Sequence, residues 1–256
     1  MSDRLDFIVK TKEDLIDAVH RVGFLPLFRN SIPGFSVEDH VDLSVWLTGD
    51  PGVWEWKGPV IQEAGCAYGK FFENKAAFIS AEWFPDFANY RRDGYDFDAR
   101  FDDELASYKD KQLFELLDAR APVLSKTLKR DGKRLIEQDG CSQPARGAGR
   151  VQQSCKNPYA PVRIKKGGAT GFDTSINRLQ AQGYVIISNF VYLKDRHGKE
   201  YGWGVAEYST PEKFFGDAFK SAVYQRDPAE SYQRMLDYFH EILPDVPDKA
   251  LRKFLR

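Results

Sequence analysis

The chain has 256 residues, of which 42% are hydrophobic, 29% charged and 14% aromatic, and its formal net charge is −1. These values exclude global disorder and provide no overall attraction to nucleic acid, so any DNA affinity has to come from a local group of basic residues. The first residues do not resemble a secretion signal, and the most apolar run, 184–193, is too short to span a bilayer. We therefore expect a soluble cytoplasmic protein that does not contact the membrane.

The N-terminal part begins with a predicted helix at residues 11–22, where Thr11 is the cap candidate and Gly23 the terminator. From residue 30 to residue 100 the pattern is irregular and aromatic, and it holds four of the five tryptophans. We predict a mixed α/β domain over residues 1–101.

The middle of the chain, residues 102–211, has the order of elements of a winged helix. The helices are predicted at 102–120, with Leu105, Leu113, Leu116 and Leu117 facing inward, at 123–129 and at 172–182, and the strands at 184–193 and 201–208. A basic, periodicity-poor insert at 131–171 separates the second and third helices, and a loop of that length is either functional or disordered. We predict an α+β fold with tandem winged helix-turn-helix elements.

The C-terminal part, residues 212–256, is predicted to be helical at 212–223, 229–243 and 248–256 and to pack back on the body. The three cysteines, Cys66, Cys141 and Cys155, form no Cys-x-x-Cys pair, and the histidines lack metal-binding spacing. No Gly-x-Ser-x-Gly elbow of a hydrolase is present. We expect neither a metal nor a cofactor.

A winged helix places its third helix in the major groove and its hairpin tip on the adjacent DNA backbone. The predicted contacts on the third helix are Asn177, Arg178, Gln180 and Gln182, which are expected to face outward, and those at the hairpin tip are Lys194, Arg196, His197 and Lys199. Lys165 and Lys166, just ahead of the third helix, are candidates for holding a phosphate. The alternatives are a solvated polar face, a flexible basic linker, or a winged helix that binds protein.

Aromatic residues alternate with charged ones between residues 54 and 92. Such a mixture can stack an unstacked base, with Arg91 and Arg92 holding phosphates and Glu55 or Asp86 supplying a carboxylate. The alternative is an aromatic core whose rims are salt-bridged.

Several segments, taken in order, resemble the bacterial AlkZ/YcaQ group of winged-helix proteins, which includes DNA glycosylases for interstrand crosslinks and bulky alkylation. The matching segments are 20–24, 54–56, 77–92, 121–125 and 178–183. The chain is most similar to the AlkZ-related branch. The resemblance implies a protein that binds duplex DNA and serves repair or regulation.

The chain differs from those glycosylases at one important place. The resemblance implies a Gln-aliphatic-Asp or Gln-aliphatic-Gln motif soon after the first helix, but this chain has Pro26 and Phe28 at the matching positions. Neither side chain can polarise water. We expect the usual glycosylase activity to be missing. Two alternatives stay open: a glycosylase that uses Glu55 or Asp86 instead, and a protein-interaction module.

Overall fold

The computed structural model describes residues 3–46, 51–138 and 171–256. After a 3-10 turn at Asp3–Leu5, the first half contains α1 (Lys12–Val22), β1 (Phe24–Pro26), α2 (Val37–His40), α3 (Leu43–Trp46), α4 (Val53–Ala64), β2 (Ala67–Phe72), β3 (Lys75–Ile79) and α5 (Phe84–Arg92). The side chain of Thr11 accepts the Asp14 N–H, and the Asp14 carboxylate accepts the Thr11 N–H. This capping box confirms the predicted first helix.

The second half contains α6 (Phe97–Asp102), α7 (Tyr108–Arg120), β4 (Val123–Leu124), α8 (Ser125–Gln138), α9 (Phe172–Ala181), β5 (Ile186–Lys194) and β6 (Glu200–Ser209). The helix predicted at 102–120 is confirmed over Tyr108–Arg120, with Leu113 and Leu117 buried, but its predicted start is wrong, because Ser107 caps the helix and Leu105 is 37% exposed. The helix predicted at 123–129 continues to Gln138 and so includes the first residues of the predicted insert. The rest of the insert, with Lys165 and Lys166, lies outside the described residues.

The C-terminal part contains α10 (Pro211–Phe214), α11 (Asp217–Ala222), α12 (Pro228–Ile242) and α13 (Asp248–Leu255). The helix predicted at 212–223 is interrupted because Gly216 adopts a positive φ of 68°. The expected packing of these helices on the body is confirmed: Phe239 of α12 lies 5.0 Å from Phe24, and Phe254 of α13 stacks on Phe72 at 4.5 Å. None of the described helices has the length and apolar character needed to cross a membrane.

All six strands form one antiparallel sheet in the order β1-β3-β2-β5-β6-β4. Each half contributes a hairpin whose second strand pairs with a short outer strand, giving β1-β3-β2 on one side and β4-β6-β5 on the other. The halves meet where Tyr68 of β2 pairs with Ile187 of β5. Helix α4 packs against β5, and α9 packs against β2, so each half is covered by a helix of the other.

Candidate nucleic-acid interface

The turn between β5 and β6 presents four basic side chains, which we call the basic turn: Lys194, Arg196, His197 and Lys199. The Asp195 carboxylate accepts the backbone N–H groups of His197 at 2.8 Å and Lys199 at 3.0 Å. Gly198 takes the positive φ of 80° that closes the turn. The Asp195 carboxylate is therefore engaged by two backbone N–H groups of the turn, and the four basic side chains are exposed.

An aromatic cluster lies beside this hairpin and consists of Phe28, Trp46, Trp54, Phe190 and Trp203. Trp54 is at its centre, with ring centroids 5.8 Å from Phe28, 5.7 Å from Trp46 and 6.5 Å from Trp203. Trp203, on β6, is 73% exposed. An indole of this size left in water next to exposed cations is typical of a binding surface, because Trp has a large apolar area and can stack on a base.

Lys57 of α4 lies between two rings of the aromatic cluster. Its Nζ lies 4.6 Å from the ring centroid of Trp54 and 4.4 Å from that of Phe190. Burial lowers the pKa of Lys57 to about 8, and the neighbouring charge of Glu55 acts in the opposite direction. Lys57 as a whole residue is half-buried.

The two candidate carboxylates have different surroundings. Glu55 is half-buried in the first turn of α4, near Lys57, and accepts the Gly52 N–H at 3.0 Å. Asp86 is only 2% exposed and is contacted by Arg226, by Arg234 and by the hydroxyl of Ser231. The expectation that Asp86 faces a binding cleft is therefore corrected, because its charge is already neutralised inside the protein.

Arg91 and Arg92 were expected on a phosphate-binding rim, and the structure buries both. Arg91 donates to the carbonyl oxygens of Phe71 and Arg256, and burial lowers its pKa to about 10. Arg92 donates to Glu212 at 2.6 Å and to the carbonyl of Gly183 at 2.8 Å. With 6% and 1% exposure, these guanidinium groups join α5 to distant segments and do not face solvent.

The outward orientation expected for the third predicted helix, α9, holds only in part. Arg178 pairs with the buried Asp110 of α7 at 2.6 Å, and Gln180 is 1% exposed and accepts the Lys70 N–H at 3.2 Å. The outward placement of these two residues is wrong, because α9 is held between α7 and β2. Asn177 and Gln182 are partly exposed.

Two residues of this surface, Lys57 and Trp203, were not among the predicted site residues. Lys57 follows Trp54 by three positions, a spacing that places both on one face of a helix. Trp203 lies between Gly202 and Gly204, next to the basic turn. Those local patterns could have indicated them, whereas the contact of Lys57 with Phe190 depends on the sheet.

Pro26 and Phe28 lie where the resemblance implies polar catalytic residues. Pro26 is buried in β1 opposite Ala77, and Phe28 packs against Trp46 at 6.2 Å. This place is therefore apolar and packed. Among the described residues there is also no group of three or more His, Cys, Asp or Glu side chains that could hold a metal ion.

Comparison with known proteins gives one match. No curated protein matches the chain, and no solved structure matches it. The family model described as "AlkZ related" matches residues 9–256, which is nearly the whole length. The match spans the sheet, the aromatic cluster, the basic turn and the C-terminal helices, and the chain therefore belongs to the AlkZ-related family.

Proposed function

We propose that the protein binds duplex DNA through the basic turn and the adjoining aromatic cluster. The observation that carries the proposal is the exposed Trp203 next to four exposed basic side chains, in a chain of the AlkZ-related family. That membership indicates a DNA-repair role of the glycosylase-like kind.

The order of elements supports a winged-helix mode of binding. The succession α7-β4-α8-α9-β5-β6, with the strands paired as β4-β6-β5, agrees with the order expected for a winged helix, and in this proposal the basic turn is the wing tip. The strand order β1-β3-β2 in the first half favours a second, tandem unit. In this mode the cations of the wing meet phosphates on the DNA backbone.

Sequence discrimination is expected to be weak. Arg178, which suits a guanine edge, and Gln180, which suits an adenine edge, are both engaged inside the protein. Asp173 and Thr174 at the start of α9 are exposed, and Asn177 on α9 and Gln182 at its C-terminal cap are partly exposed. Affinity should therefore depend mainly on phosphate contacts and fall steeply with salt.

The test is duplex binding measured against salt concentration with the triple variant Lys194→Ala, Arg196→Ala, Lys199→Ala. Each lost phosphate contact should reduce the slope of log affinity against log salt by about 0.9, equally for all sequences. The matched control is Lys249→Ala with Lys253→Ala, two exposed lysines of α13, which should leave the slope unchanged. Absence of binding at about 50 mM salt would remove the DNA proposal and favour a protein-interaction module.

The same proposal includes loss of the usual base-excision chemistry, because Pro26 and Phe28 cannot orient water. Glycosidic bond cleavage relies on general-base assistance worth about 100-fold to 10,000-fold. Duplex carrying 7-methylguanine or a nitrogen-mustard crosslink should therefore accumulate no abasic sites above background. The alternative is a glycosylase that uses Glu55, favoured by the position of that carboxylate beside Lys57. Turnover that disappears in Glu55→Gln would establish it.

A further inference from the structure

Lys57 differs from the other described lysines in lying close to two aromatic rings, whereas Lys111 and Lys129 each lie close to one. No described residue makes an ion pair or hydrogen bond with its Nζ, which rests between the rings of Trp54 and Phe190. Lys111 offers a comparison: its Nζ lies 4.3 Å from the ring centroid of Phe101 but also 3.8 Å from the carboxylate of Glu115. Lys57 has the aromatic contacts without an ion pair, and Glu55 acts on it only through its charge.

Burial of Lys57 favours the neutral amine and outweighs the ring faces and the charge of Glu55, which favour the ammonium ion. With a pKa of about 8, roughly a quarter of Lys57 is uncharged at pH 7.5, about 200-fold more than for an ordinary lysine. A neutral amine in an apolar pocket is a nucleophile toward carbonyl carbon and forms Schiff bases.

We propose that Lys57 forms a Schiff base with the aldehyde of an abasic deoxyribose in bound DNA. The inference rests on the proposed DNA binding, since the basic turn and Trp203 have to hold the duplex against the aromatic cluster. Trp203 contacts Trp54, and Trp54 contacts Lys57, so one intervening ring connects the exposed indole to the amine. An abasic nucleotide has no base to keep its sugar in the stack, which makes that sugar free to approach the amine.

The reaction needs no oxidant or reductant. The lone pair of Nζ adds to the C1′ aldehyde of the ring-opened sugar, and loss of water with uptake of one proton from solvent leaves a protonated imine. A proton then leaves C2′ to solvent, the C3′–O bond breaks, and the 3′ phosphate departs with its electron pair. Water finally hydrolyses the imine, which releases an unsaturated aldehyde on the 5′ fragment and restores the amine.

The experiment incubates the full-length protein with a labelled duplex containing one abasic site in the presence of cyanoborohydride, which reduces the imine to a stable amine. Wild-type protein should give a covalent adduct on a denaturing gel, and peptide mapping should place it on Lys57. Lys57→Arg should lower the adduct more than about 100-fold because an arginine is not deprotonated. Lys111→Arg, the matched control, should trap like wild type. The trapping rate should rise with pH around 8.

The results separate the two proposals. Salt-dependent duplex binding without an adduct would overturn the Schiff-base inference and leave the DNA proposal intact. Absence of both would remove the DNA proposal itself. An adduct mapped to Lys194 or Lys199, or undiminished in Lys57→Arg, would also overturn the inference. Duplex binding by Lys57→Arg equal to wild type would show that this variant is folded, and Lys57→Met, tested in the same way, provides a second variant without the amine.

Discussion

Replacing Arg178 with alanine is expected to destabilise the protein while leaving its DNA-sequence preference unchanged. Asp110, its partner at 2.6 Å, is 2% exposed, and the Arg178 side chain is 13% exposed. Removing one member of a buried pair leaves an uncompensated charge, which costs about 3–5 kcal/mol. For a protein stabilised by about 5–15 kcal/mol, this is a large fraction of the free energy of unfolding.

The assay is urea unfolding of Arg178→Ala. The midpoint should fall by about 1–2 M for a slope near 2–3 kcal/mol per molar urea. Adding Asp110→Asn to the alanine variant should recover part of the loss, because the buried charge is then gone. Arg196→Ala, an exposed arginine of the basic turn, should change stability by less than about 0.5 kcal/mol. A stable Arg178→Ala protein that discriminates less between DNA sequences would refute this reasoning and place Arg178 at a base edge.

Three further changes test the surface and the interior. Lys57→Met should raise the free energy of unfolding by about 1–2 kcal/mol at pH 7, which is the desolvation cost left after cation–π attraction. The pKa of Lys57 is about 8 in the folded protein and 10.5 in the unfolded chain, so the unfolded chain binds more protons between these pH values. Wild-type stability therefore rises with pH in this window, and the advantage of Lys57→Met should shrink by pH 10. A gain in stability that is independent of pH would contradict this. Asp86→Asn should destabilise by about 2 kcal/mol or more in thermal unfolding, since Arg226 and Arg234 lose their anion; unchanged stability would contradict a structural role for this carboxylate. Trp203→Leu should weaken duplex binding by about 1–3 kcal/mol in a titration at constant salt while leaving stability nearly unchanged; unaltered affinity would remove Trp203 from the interface.

Elements with strong local patterns could be predicted from the sequence. The first helix begins at a Thr–Asp capping box, and the β5–β6 hairpin turns on an Asp and a Gly, so both are specified by residues close in the chain. Strand β1 could not be recognised in the same way. It has three residues, one of them Pro26, and it is a strand because β3, far along the chain, pairs with it.

The candidate site also combines features that follow from the local sequence with features that depend on distant residues. The exposure of the basic turn follows from its own residues, whereas the burial of Arg178 and Arg92 depends on partners that no local pattern contains. Asp110 is 68 residues from Arg178, and Glu212 is 120 residues from Arg92. A polar helix face was therefore interpreted as a solvent-facing surface although other elements cover it. The aromatic cluster likewise needs Phe190 and Trp203 from the hairpin to join Trp54.

The pairing of β2 with β5 has a consequence for synthesis of the chain. Tyr68 pairs with Ile187, which is synthesised about 120 residues later. At about 5–20 residues per second, synthesis of the intervening chain takes roughly 6–24 s. During that interval the mostly apolar strand β2 has an open edge that can pair with another chain. The first half should therefore be prone to aggregation before β5 is synthesised. A fragment that ends before β5 should self-associate under conditions in which the full chain does not.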